Sequence, residues 1–181
     1  WDSSNKKWST ASLQQLLNSG DYYNRSGLYA EMGLTEEAKE MIEDAQWYLG
    51  DNSFGDLYGA VAAYAFERSD TTASIENTIY WFGKVGLVYP SDYLYTYALG
   101  INEACFDSQR QCDIRTGEIP SWIYNGKTQW MITYDKKDYN PLAILSAGGP
   151  YTIIGSYDET NALGVRPVVY LKKDINITNG N

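Results

Sequence analysis

A chain of 181 residues, 44% apolar and 20% charged, has the length for one domain with a real hydrophobic core and the composition of a globular protein. Its formal net charge of −9 offers no basic face to nucleic-acid phosphates and no attraction to anionic lipid, so neither partner is expected. No apolar run reaches the roughly 20 residues needed to span a bilayer. There is no histidine, which excludes Ser-His-Asp and Cys-His nucleophiles, imidazole acid–base catalysis and most zinc sites.

In chain order, Ser9 or Thr10 is placed to cap a helix over ASLQQLLNS, with Leu13, Leu16 and Leu17 as one apolar stripe. A second helix is predicted from Thr35, with Glu36 and Glu37 in its first turn. It would run through Ala38, Met41, Ile42 and Ala45 to Trp47 and Leu49 at buried spacing, and end at Gly50. In this region Glu31, Glu36, Glu37, Glu40, Glu43 and Asp44 are answered locally only by Lys39, as on a solvated helix face. Residues 56–68, DLYGAVAAYAFER, suit a helix through Leu57, Val61, Tyr64 and Ala65 that runs into a short extended piece.

The stretch Gly83–Tyr97, GKVGLVYPSDYLYTY, is a joint. Val85, Leu87 and Tyr89 alternate with Lys84, Gly86 and Val88 as a strand. Pro90 then ends the ladder, having no N–H to donate. Ser91 and Asp92 follow as N-cap and first-turn residues of a helix to about Leu99. Beyond it the pattern is of strands and turns. Gln129–Tyr134 sets Trp130, Ile132 and Tyr134 on one side, and Leu142–Ser146 and Tyr151–Ser156 flank the turn residues Ala147-Gly148-Gly149-Pro150. Val165–Lys172 closes the chain, with Pro167 expected at a bulge or edge. Helices first and strands later predict an α+β domain spanning 1–181, helical over about 8–68 and strand-rich over about 83–173. Opening on Trp1 without a signal peptide, it reads as a mature or excised ectodomain whose anchor lies outside it.

Cys105 and Cys112, in CFDSQRQC, have neither the company of a metal site nor the spacing of a redox pair. A local disulfide fits best. It would stabilise by roughly 2.5 kcal/mol and imply an oxidising, extracellular setting, the alternative being two free cytosolic thiols. Aromatics make up 15% of the chain, with 17 tyrosines and 6 tryptophans. Tyrosine combines a flat apolar face with a hydroxyl at low rotamer cost, which suits recognition surfaces, sugar rings included. The loops expected to be exposed are Tyr134–Asn140 and Gly155–Leu163. The second holds Tyr157, Asp158, Glu159 and Asn161, an oxygen-rich group able to bind a polar ligand. The same oxygen atoms could coordinate calcium, but the group lacks the spacing of a calcium loop, so the expectation is no cofactor, with calcium the lesser alternative.

Three ordered stretches, GKVGLVYPSDYLYTYA, PSWIYNGKTQWMITY and LGVRPVVYLKKDINITNGN, resemble a group of uncharacterised bacterial secreted or surface proteins, often preceded by a prepilin-type segment. AKEMIEDAQWYLG and YAFERS fit the same layout. The joint and the closing GVRPV strand also resemble C-type-lectin-like domains of the formylglycine-generating-enzyme type. The resemblance implies a C-type-lectin-like fold: two N-terminal helices packed on a small twisted, mostly antiparallel sheet with long irregular loops. It implies ligand contact through about residues 134–163. The Trp-Asn-Asp calcium and sugar signature of true C-type lectins and the copper-binding cysteine pair of the enzymes are both missing, so neither activity carries over.

The expectation is therefore a non-enzymatic recognition or adhesion module of a bacterial surface or pilin-like protein. It would meet a glycan or protein ligand through Tyr139, Tyr151, Tyr157, Asp158 and Asn161. The alternatives are a structural pilus or envelope subunit that contacts its neighbours, and a carboxylate-based glycan hydrolase.

Overall fold

Trp8, Trp47 and Tyr89 are fully buried, and the order of elements is best followed from how each reaches them. The structure is a computed structural model that describes residues 1, 5–18, 34–50, 60–69, 78–96, 112–115, 127–135, 139–146, 151–156 and 162–175. Trp8–Thr10 forms a 3-10 turn that leads into helix α1, Ser12–Asn18. Trp8 packs against Trp1 and meets Trp81 edge-on at 6.0 Å. The buried face of α1 is Leu13, Gln14 and Leu17, with Leu16 only half-buried, so the apolar stripe is rotated slightly from the predicted one.

At its end α1 docks on strand β3 (Val85–Leu87) through one side chain. The Asn18 carboxamide accepts the Val85 N–H at 3.0 Å and donates to the Val85 carbonyl at 2.9 Å. It does for Val85 what a neighbouring strand would do.

The predicted long second helix is corrected. Helix α2 covers only Glu36–Glu40, capped by the Thr35 hydroxyl, which accepts the Ala38 N–H at 3.2 Å. It buries none of its residues, so among the described residues α1, and not α2, is the early helix that packs on a strand. Strand β1, Ala45–Tyr48, then occupies the last part of the region expected to be helical. Burial there has period two: Ala45, Trp47 and Leu49 are buried and Gln46 is exposed.

Strand partners decided the outcome. Glu43 donates its N–H to the Tyr170 carbonyl, and Lys172 donates to that of Met41. β1 pairs antiparallel with β2, Tyr80–Gly83, setting Trp47 opposite Trp81. The Trp47 indole N–H adds a bond to the Gly83 carbonyl at 2.8 Å. The acidic run is solvated as expected, with Glu36, Glu37, Glu40, Glu43 and Asp44 exposed, but it is not a single helix face.

Helix α3 is Ala60–Glu67, without the extended piece expected after it. Gly50 is no helix cap. A Cβ there would lie 2.4 Å from the Phe66 carbonyl oxygen, so glycine lets β1 run directly under the last turn of α3. Gly86 serves the same purpose beneath Trp47, whose ring would meet an added Cβ at 2.5 Å.

After β3 comes helix α4, Pro90–Thr96. Pro90 is its first residue, where a missing N–H costs nothing. The N-cap is therefore Tyr89 rather than Ser91, and Asp92 reaches back to accept the Tyr89 N–H at 3.3 Å, half of a capping box.

The remaining strands are β4 (Cys112–Arg115), β5 (Gln129–Tyr134), β6 (Pro141–Ser146), β7 (Tyr151–Ser156) and β8 (Pro167–Val169). Four of them form an antiparallel sheet of order β4-β7-β6-β5. The pairing of Ser146 with Thr152 fits the predicted hairpin, whose turn residues 147–150 lie outside the described set. β8 pairs antiparallel with β3, and the chain beyond it pairs with Met41–Glu43. β5 joins the two halves. Its Ile132 N–H reaches the Val88 carbonyl and its Trp130 N–H the Gly164 carbonyl. All six β5 residues are buried, Trp130, Ile132 and Tyr134 in the main core. The fold is mixed α+β, a few short helices with small antiparallel sheets.

Candidate functional site

Helix α3 is built inside out. Among its residues of described burial, Ala63 and Glu67, one turn apart, are buried, while Val61 (74% exposed), Tyr64 (48%) and Phe66 face outward. A buried carboxyl beneath exposed rings is the reverse of an ordinary amphipathic helix, and both halves of that inversion need a cause.

The buried half is explained by α4. Glu67 Oε1 accepts the Ser91 N–H at 2.9 Å, and Oε2 accepts the Ser91 hydroxyl in a short bond. Arg68 Nη1 lies 3.2 Å from Oε2. Ser91 is thus held inside α4 by Glu67 instead of capping it. Burial raises the Glu67 carboxyl to about 7, against the lowering effect of Ser91 and Arg68, and nearby Asp92 adds to the rise. Asp92 is itself raised, again chiefly by burial.

Arg68 is the centre of the exposed half. Its guanidinium carbon lies 3.7 Å from the centroid of Tyr89, 4.9 Å from that of Tyr64 and 5.6 Å from that of Tyr48. Such contacts are each worth about 0.5–2 kcal/mol, more where water is excluded. The Tyr89 hydroxyl donates to the Tyr48 carbonyl at 2.9 Å, and burial pushes its phenol well above the usual range. Tyr170 hydrogen-bonds Arg68 and lies 4.8 Å from Trp47, its phenol also raised by burial.

From Arg68 aromatic rings continue in two directions. Tyr64 meets Tyr95 of α4 edge-on at 6.4 Å, and Tyr95 is 52% exposed. On the other side Tyr48 pairs in register with Tyr80, which meets Phe82 edge-on at 5.5 Å, and Phe82 is 56% exposed. Tyr48, Tyr80, Phe82 and Gln46 form the outer face of the β1–β2 ribbon, because strand side chains alternate between faces and Trp47 and Trp81 take the other. The result is a line of rings, Phe82, Tyr80, Tyr48, Tyr64 and Tyr95, crossed at its middle by one guanidinium.

Of the residues expected at the site, Tyr139 and Tyr151 fall among those described. Tyr139 is half-buried, packs against Tyr134 at 6.4 Å and belongs to the margin of the core. Its φ of 55° is held by its N–H on the Asp135 carbonyl at 2.7 Å. Tyr134 and Asp135 are buried, so the segment expected to be an exposed loop from Tyr134 begins inside the protein. Tyr151 opens β7 opposite Arg115. Tyr157, Asp158 and Asn161 lie outside the described residues, as does Cys105. Cys112 opens β4, and its predicted disulfide falls outside the described set with its partner.

Among the described residues no group of three or more His, Cys, Asp or Glu side chains is placed to hold a metal, and no helix is long and apolar enough to cross a membrane. Compared with protein-family models, curated proteins and solved structures, the chain matches none.

Glu67, Arg68 and Ser91 carry the site, yet sequence reasoning passed over them as functional residues. In the sequence YAFERS stands out only as part of a layout, and Ser91 and Asp92 only as cap and first turn of a helix. The one available signal was the Glu-Arg pair at the end of the apolar run AVAAYAF.

Proposed function

We propose that this chain is a non-enzymatic recognition module of a bacterial surface or pilin-like protein, displayed outside the cell, with the ring platform around Arg68 as its glycan-binding face. The observation that carries this reading is the inversion of α3, which spends buried space on a carboxyl group and leaves Tyr64 and Phe66 in solvent. Exposed rings in a continuous line mark interaction surfaces. Tyrosine faces suit the C–H faces of sugar rings, with hydroxyls at their margins for sugar hydroxyls. For the finer fold we propose a C-type-lectin-like arrangement. Its support is that the joint at Pro90 and the closing strand, the two motifs that carry the resemblance, adjoin one another through the β3–β8 pairing.

The test is a glycan-array screen of the purified chain, with and without calcium. Binding that is lost in Tyr64→Ala and Tyr80→Ala is the expected result. Binding that survives both but fails in Tyr157→Ala or Asp158→Ala would move the face to the loop predicted from sequence. A clean negative with concentration-dependent self-assembly would replace recognition by a structural subunit, and turnover of a bound glycan would replace it by a hydrolase.

A further inference from the structure

We propose that two copies of this chain join edge to edge through β2, as a closed dimer in which the two β1–β2 ribbons form one antiparallel sheet. The pairing does not depend on the ring platform being a glycan face.

The open edge of β2 follows from its ladder with β1. The Leu49 N–H donates to the Ile79 carbonyl in the same register that sets Trp47 opposite Trp81 and Ala45 opposite Gly83. Bonded and non-bonded pairs alternate along an antiparallel ladder, so these pairs are the bonded ones. The N–H and carbonyl groups of Tyr80 and Phe82 therefore point away from β1. The alternation shows on β1 as well, where the Tyr48 carbonyl, opposite Tyr80, turns outward and accepts the Tyr89 hydroxyl. Among the described residues only the Thr78 hydroxyl meets the outer edge of β2, at the Tyr80 carbonyl, and a carbonyl can accept a second bond.

The other strand edges are closed or guarded. β3 has the Asn18 carboxamide on Val85, and β5 has Val88 and Gly164. β8 carries Pro167, and β4 carries Asp113 and Arg115. Proline, charge and cover are the devices that keep an edge from pairing. Tyr80–Gly83, YWFG, has none of them among the described residues, and its rings stay in solvent, Tyr80 39% and Phe82 56% exposed. Lys84, just past its end, lies with Nζ 3.4 Å from the Ile42 carbonyl, toward the chain that leads into β1.

A second copy is the occupant because this edge is its own complement. When β2 pairs antiparallel with its copy about Trp81, Tyr80 lies opposite the partner's Phe82, and Phe82 opposite the partner's Tyr80. Both are then bonded pairs, each exchanging two N–H···O bonds. Tyr80 and Phe82 already meet edge-on at 5.5 Å within one chain, and across the axis the same two ring types face each other again. No charged residue of β2 meets its own kind, although each copy carries a net charge of −9. Backbone groups alone accept any strand; the ring pairs and the absence of charge select this one. The contact uses the edge of both copies, so assembly stops at two. The partner's Phe82 and Tyr80 also continue the exposed row of rings, so that one face runs across both copies.

The experiment is sedimentation velocity of the purified chain from about 5 μM to about 500 μM, since a small edge contact gives a weak dimer. Salt at about 0.15 M screens the net charge. Amide exchange by nuclear magnetic resonance is read at both ends of that range. The expected result is passage from one chain of 20.4 kDa to two and no further. The Tyr80 and Phe82 amides should slow several-fold at high concentration, while those of Trp81 and Gly83, bonded to β1, keep their rates. Phe82→Pro removes an N–H that β1 does not use, a place where a strand tolerates proline, and should abolish the dimer. Phe82→Ser loses the same ring but keeps the N–H, and should weaken the dimer without abolishing it. If Phe82→Pro fails to fold, the amide pattern of the unmodified chain decides. A monomer throughout, growth past two copies, or a dimer in which the Tyr80 and Phe82 amides do not slow overturns the proposal. A dimer that binds no sugar on the array keeps the pairing and removes the platform, and a monomer that binds sugar does the reverse.

Discussion

β5 and α3 are alike in composition and opposite in exposure. QWMITY is buried at every position, whereas AVAAYAFE buries Ala63 and Glu67 and shows Val61, Tyr64 and Phe66 to solvent. The difference lies in what surrounds them. β5 has β6 along one edge and Val88 and Gly164 hydrogen-bonded to it as well. α3 has α4 beside it and Gly50 beneath its last turn, and its deepest contact is polar. An apolar run predicts core only where a second layer covers it. Where a hydrogen-bonded carboxyl takes the inside position, the rings are left to do something else.

The largest effect should come from the covered side. Trp47 lies between Gly86, Tyr89 and Tyr170, with its indole N–H on Gly83. Trp47→Ala is expected to cost about 4 kcal/mol, the range for emptying a large core site. Urea denaturation monitored by circular dichroism measures it. A loss below about 1 kcal/mol would mean that this region is no better covered than the platform.

The second test concerns the carboxyl inside α3. In the folded chain Glu67 is raised to about 7 from 4.5, so the native state holds its proton where the unfolded chain has released it. Its contribution is complete below about pH 4.5 and is lost as pH rises through 7, on the order of 3 kcal/mol in all. The difference in stability between the unmodified chain and Glu67→Gln, followed from about pH 5 to 8 by denaturation, should move against the unmodified chain as pH rises. A flat difference would mean that Ser91 and Arg68 hold Glu67 ionised throughout, and that burial is the weaker influence.

These two sites also mark how far the sequence could be read. β5 and β7 were legible to the residue, and the start of a helix at Thr35 and the strand-to-helix joint at Pro90 in outline, because period-two alternation and proline act locally, although the cap of that joint is Tyr89 and not Ser91. The stretch from Met41 to Leu49 was not. Ala38, Met41, Ile42 and Ala45 satisfy a helical period as well as Ala45, Trp47 and Leu49 satisfy a strand. The choice was made by β2 and the closing strand, the latter about 130 residues away in sequence. The site was less legible still. Nothing near Glu67 announces that Ser91, 24 positions on, will donate to it through both its N–H and its hydroxyl. Tyr139, chosen for its loop and its ring, is taken up by packing on Tyr134.

A smaller effect tests the seam between α1 and β3. Asn18→Ala removes both bonds to Val85 and should cost about 1–2 kcal/mol. Asn18→Asp keeps the acceptor for the Val85 N–H but places a second acceptor against the Val85 carbonyl, so it should be no better than alanine. Chemical denaturation of the two variants compares them directly. An aspartate as stable as asparagine would show that the bond to the Val85 carbonyl adds nothing.

The smallest expected change in stability is also the sharpest probe of the uncovered side. Phe82 and Tyr95 stand at opposite ends of the ring platform, each more than half exposed, and each meets one neighbouring ring edge-on. Removing such a ring forfeits little buried area, so Phe82→Ser and Tyr95→Ala should each lie within about 0.5 kcal/mol of the unmodified chain. If the platform is a binding face, the same two variants should weaken glycan binding several-fold at unchanged stability, which a core ring cannot do. If instead either variant costs about 2 kcal/mol, its ring is packing, and the contrast between α3 and β5 shrinks to one of degree. Thermal denaturation and glycan titration on the same preparations separate these outcomes, because a folded variant that no longer binds has lost a surface and not a core.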